Sequence, residues 1–229
     1  MYSEDSVKYG ESTFDILYLI FAITTGIIIL IKRKDAIGRY MGIAALVLGG
    51  GDAFHLVPRV LNYFSDKDYT AALGFGKLVT SITMTVFYLL LYFLHTKLYK
   101  WEDEHEKKTV LAGLIIATST RIGICCLPGN AWLSGGSSIF WGVMRNIPFV
   151  GIGFLIVLIY FRNRNDNKNF KRLWLYVTLS FIFYIPVATI VSLVPMLGML
   201  MLPKTVCYML ILGIFLKETF SKKQDIQKR

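Results

Sequence analysis

Charge is scarce in this sequence. Of 229 residues only 17% are charged while 55% are hydrophobic, and the mean hydropathy of +0.53 lies outside the usual range of water-soluble chains. Cysteine is scarce too: Cys125 and Cys126 are adjacent and Cys207 stands far away, which excludes a disulfide framework and leaves them as small apolar packing. Three histidines are too few and too scattered for a metal site, so neither a metal nor a cofactor is expected. Repeats, heptads and low-complexity tracts are lacking. No polar stretch is long enough for a separate soluble domain, so any chemistry must lie among apolar segments.

What the chain does contain is apolar runs, at about 14–31, 37–63, 71–95, 109–127, 137–161, 173–194 and 197–216. Crossing the hydrocarbon core takes about 20 apolar residues, so these runs predict an all-α, polytopic membrane protein, one domain of seven transmembrane helices over 1–229. Acidic residues precede the first run where a cleavable signal would carry positive charge, so that run reads as a span. The last span is interrupted by Pro203 and Lys204, which suggests a start before Pro203 with a kink.

The net charge of +10 is distributed along the chain in a way that points to membrane orientation rather than to nucleic acid. Lys32, Arg33, Lys34 and Arg39 fall at the first connection, Lys97, Lys100, Lys107 and Lys108 at the third, and Arg162, Arg164, Lys168, Lys171 and Arg172 at the fifth. Five more basic residues fill the tail, whereas the opposite side carries only Lys8 and Lys67 among its loop residues. The positive-inside rule therefore predicts an N-terminus outside and a C-terminus in the cytoplasm, in the plasma membrane of a bacterial-type cell. His95 and His105 fall at the cytoplasmic end and read as solvated.

Five cations remain, within or at the mouths of the spans: Arg59, Lys77, Arg121, Arg145 and Lys204. A charge at bilayer depth costs on the order of 3 kcal/mol, so each calls for a partner, water or a ligand. At 1.5 Å per residue, Asp52 lies about 22 Å and Arg121 about 18 Å from the inner ends of their spans, beyond the midplane. Asp52 is the one carboxylate fully within the membrane by this count, with Asp15 at the edge of the first span. Three or more cations are thus unmatched, which implies an outward-facing cationic pocket for an anionic small molecule or a lipid headgroup.

The densest polar element is Gly49 to Arg59. Asp52, His55 and Arg59 stand at i, i+3 and i+7 on one helix face, and the glycines before them permit close approach of a neighbouring helix. Thr118 shares a face with Arg121, Asn146 adjoins Arg145, and Tyr184 precedes Pro186; all three are candidate lining groups. The leading expectation is ligand binding for transport or sensing. A second is a metal-independent intramembrane enzyme acting on a phospholipid or acyl substrate, with Asp52 and His55 as acid/base pair and Arg121 and Arg145 as anion clamps. The third is a subunit that docks on a protein partner within a larger membrane complex. A retinal protein is excluded because the last span has no central lysine, and a zinc amide hydrolase because only His55 of the histidines lies within the membrane.

Overall fold

The computed structural model describes residues 4–134, 138–191 and 193–227, with side chains described from Lys8 to Ser221 except Pro195. Gly135 to Ser137 and Ser192, at the edges of expected spans, and Lys228 and Arg229 of the basic tail lie outside the described residues. Among the described residues seven α-helices follow one another: α1 (Glu4–Lys32), α2 (Ala36–Phe64), α3 (Thr70–Leu98), α4 (Glu104–Cys125), α5 (Ile139–Arg162), α6 (Leu173–Ile190) and α7 (Met201–Gln227). All seven contain stretches long and apolar enough to cross a membrane, consistent with a multi-pass helical bundle. Short 3₁₀ turns at Pro128–Asn130, Trp132–Ser134 and Pro195–Leu200 occupy the longer connections.

Local chemistry sets the boundaries. Asp35 accepts from the Gly38 amide at 2.9 Å to open α2, and Asp103 accepts from the His105 amide at 2.7 Å to open α4. Pro203 sits in the first turn of α7, where its missing N–H leaves no helical bond broken, so the expected interruption marks a helix start instead. Upstream, α1 begins about ten residues before the apolar run it was read from.

Helix faces follow lipid logic. Along α1, Tyr18, Ala22 and Ile29 are buried while Ile16, Leu17, Ile20, Ile23, Ile27 and Ile31 are exposed, so both faces are apolar. A surface of that kind suits hydrocarbon rather than water. The helices close into a ring: α3 packs on α2, α4 and α5, and α7 returns to meet α6 and α1. At one end Arg33 pairs with Glu218 at 3.3 Å, and Asn169 donates to the same carboxylate at 2.8 Å, tying the α1–α2 connection, the 163–172 connection and α7.

Close helix approach occurs where the glycines lie. A methyl added at Gly51 would collide with the Thr83 side chain, and one at Gly76 with the Phe54 carbonyl oxygen, so α2 and α3 meet nearly backbone to backbone. The Thr80 hydroxyl donates across this seam to the Gly51 carbonyl at 3.1 Å.

One expectation is overturned at the basic end. His95 is buried rather than solvated, only 2% exposed, with the rings of Tyr99, Trp101 and Tyr160 around it. Its Nε2 faces two acceptors, the Ile159 carbonyl at 3.2 Å and Asn163 Oδ1 at 3.1 Å. Asn163 Nδ2 donates to Asp166, which fixes the amide, so Nε2 must carry the proton. Packing hid this residue because an aromatic cluster assembled from α3, the following connection and α5 is not local in sequence. His105 is exposed, as its position suggests.

Candidate functional site

At the end of the bundle opposite the basic connections, α1, α2 and α7 frame a small open cleft. Starting α1 at Glu4 puts Glu11, Asp15 and Tyr18 on a helical stripe at i, i+4 and i+7, facing α2. From α2 come Asp52, His55 and Arg59, the triplet whose spacing predicted a shared face, and from the first turn of α7 comes Lys204. Glu11, Asp15, Asp52, His55, Arg59 and Lys204 line one space.

Several of these groups are already paired. Arg59 Nη2 donates to Glu11 Oε2 at 2.6 Å, and the Tyr63 hydroxyl donates to the same oxygen at 2.7 Å. The Tyr18 hydroxyl donates to Asp52 Oδ2 at 2.6 Å. Asp52 and His55 line the same cleft and make no hydrogen bond with each other among the described contacts. Threonines at the cleft spend their hydroxyls on backbone: Thr205 on the Met201 carbonyl and Thr80 on that of Gly51.

Three valences are left over. Asp15 is 5% exposed, and its Oδ2 accepts no hydrogen bond; the nearest guanidinium nitrogen, Arg59 Nη1, is 4.0 Å away. Nδ1 of His55 is buried without a partner. Lys204 is 7% exposed and, among the described residues, has no carboxylate within ion-pair distance; its Nζ stands over the rings of Tyr184 at 4.8 Å and Tyr208 at 5.5 Å. Its charge acts on Asp52 and His55 from α7.

These contacts correct the expected charge of the pocket. The cleft holds three carboxylates and two permanent cations, not an excess of positive charge. The miscount came from starting the first span at residue 14, which set Glu11 aside from the counting of partners, and from counting Lys77, Arg121 and Arg145 with the pocket. A unit of negative charge placed roughly 5 Å from a carboxylate costs about 3 kcal/mol at an effective dielectric near 20, so the sign matters.

The other expected residues lie elsewhere. Lys77 is exposed on α3. Arg121 is only 1% exposed, its guanidinium carbon 3.5 Å from the centre of the Phe149 ring and beside Tyr184 and Tyr208. Its Nε and Nη1 have no partner, and neither has the hydroxyl of Thr118 one turn earlier. Asn146 donates to its own helix at the Gly142 carbonyl and accepts from the Tyr184 hydroxyl at 2.8 Å. Tyr184 thus links the two regions, with Lys204 on its ring and the Arg121 cluster at its hydroxyl. Among the described residues no group of three or more His, Cys, Asp or Glu side chains is placed to hold a metal ion.

Arg145 serves the connection after α4 rather than the cleft. Its Nη1 donates to Asn130 Oδ1 at 3.0 Å, and its guanidinium lies over the Trp132 ring at 4.6 Å. Asn130 in turn donates to the Ile124 carbonyl at 2.6 Å, closing the end of α4. Replacing Asn130 with Ala strips that carbonyl and removes one acceptor of Arg145, so the stability read from melting in detergent should fall by about 1–3 kcal/mol. An unchanged transition would show that the connection is held by other contacts.

No known protein family matches the chain, and neither the curated proteins nor the solved structures contain a detectable relative. The fold and the cleft together define a multi-pass helical bundle with a polar cleft at one end.

Proposed function

We propose that this is an integral membrane protein that binds the anionic group of a small solute or a lipid headgroup in the α1–α2–α7 cleft, for its transport or sensing. The observation that carries the reading is Lys204: a buried ammonium lining an accessible cleft, without an ion-pair partner, in a segment where an unmatched charge is costly. A ligand anion completes it, with the Tyr184 and Tyr208 rings supplying partial compensation when the cleft is empty. By the positive-inside rule the cleft faces outside, since the basic connections lie at the other end of the bundle.

The test is native mass spectrometry of the detergent-purified chain beside Lys204→Met. A co-purified anionic species present in the parent protein and lost in the variant, at an equal melting temperature, is the expected result. The same species retained by the variant, or none in either protein, would overturn the reading. Uptake of the identified species into proteoliposomes then separates transport from sensing.

A further inference from the structure

Resting on that reading, we infer that the ligand is zwitterionic, with an ammonium group bearing N–H set on Asp15 and an anionic group at Lys204. Valences left unfilled by the protein carry the argument. Glu11 is taken by Arg59 and Tyr63, Asp52 accepts from Tyr18, and the threonine hydroxyls at the cleft bond backbone carbonyls. Among the cleft's enclosed atoms Asp15 Oδ2 and His55 Nδ1 are without a hydrogen bond, and Lys204 Nζ, among the described residues, is without an ion pair.

An anion alone satisfies Lys204 but brings its charge towards Asp15, whose carboxylate is buried with a guanidinium nitrogen no nearer than 4.0 Å. A cation alone satisfies Asp15 and leaves the Lys204 ammonium buried without an ion pair among the described residues. Only a ligand carrying both charges answers both ends, and buried charges are retained where they are paired and hydrogen-bonded. The bare oxygen of Asp15 further distinguishes among ammonium groups: it accepts a hydrogen bond, which a primary ammonium donates and a quaternary one cannot. Amino acids and ethanolamine phosphate headgroups share this chemistry, and choline headgroups lack it.

The experiment is a binding titration, followed by melting temperature and native mass spectrometry, of the full chain in detergent. Its probes are O-phosphoethanolamine, O-phosphocholine, glycine and inorganic phosphate. In the parent protein a ligand with both N–H and anion should bind at least about tenfold more tightly than inorganic phosphate or O-phosphocholine, the worth of one charge-assisted hydrogen bond. Asp15→Asn should erase that preference while phosphate binding persists, and Lys204→Met should lose both. Equal affinity for phosphate and O-phosphoethanolamine in the parent protein would overturn the zwitterion and leave the anion site standing. No binding of any probe, or binding indifferent to Lys204→Met, would overturn the anion site as well. The parent comparison needs no variant to fold. Nanodiscs of phosphatidylethanolamine against phosphatidylglycerol separate the two sources: retention of the former alone assigns a lipid headgroup, and binding of soluble probes without lipid retention assigns a solute.

Discussion

Gly76→Val should abolish a monodisperse, folded preparation or lower its stability by about 3 kcal/mol or more. The Cβ it adds points at the carbonyl group of Phe54, with the Cα of His55 close behind. Both are backbone atoms of α2, so no rotamer change relieves the clash; α2 and α3 must separate. Separation would break the Thr80 bond to the Gly51 carbonyl and displace His55 from the cleft. Gly50→Ala is the control on the same pair of helices: nothing lies within 4 Å of its added methyl, and the change should stay within about 0.5 kcal/mol. Size-exclusion profiles and melting curves in detergent give the comparison. A Gly76→Val protein that melts with the parent would mean that the seam is far looser than described.

Arg121→Met should raise stability, by about 1–4 kcal/mol. The guanidinium is enclosed on all sides, has no carboxylate within ion-pair distance among the described residues, and leaves two of its nitrogens without acceptors. The Phe149 face at 3.5 Å and the neighbouring tyrosines compensate only in part. Met keeps much of the volume and discards the desolvated charge, the situation in which replacement of a buried ion is stabilising. Melting in detergent reads the effect directly. A marked loss of stability would show that Arg121 holds an anion or water that pairs it in the assembled protein, and would move attention from the cleft to the α4–α5–α6 interior.

How much of this was legible beforehand differs from element to element. Asp52, His55 and Arg59 could be placed on one face because three residues of a single helix are related by 3.6-residue geometry alone. Glu11 could have been found from its spacing to Asp15 and Tyr18, had the helix been extended upstream past the hydropathy boundary; hydropathy marks where lipid begins, and helices continue beyond it. Arg121, Arg145 and Lys204 all read as cations of the outer half in the sequence, yet they end in an aromatic interior, on a loop amide and in the cleft. Nothing in their immediate neighbours distinguishes those fates. His95 shows the same limit at the other end, where its burial depends on rings brought from several elements.

By itself the sequence determined seven apolar stretches of spanning length, their connections, and the concentration of basic residues on alternate connections, because hydropathy and charge add up over a window of about 20 residues and need no neighbours. Only the tertiary structure decided which polar groups meet. In a lipid-type bundle both faces of a helix are apolar, so the alternation that would mark the inward side of a water-soluble helix is missing. Packing alone turned Glu11 and Asp15 towards Arg59, gave Lys204 to the cleft without a carboxylate of its own, and closed Arg121 away from it.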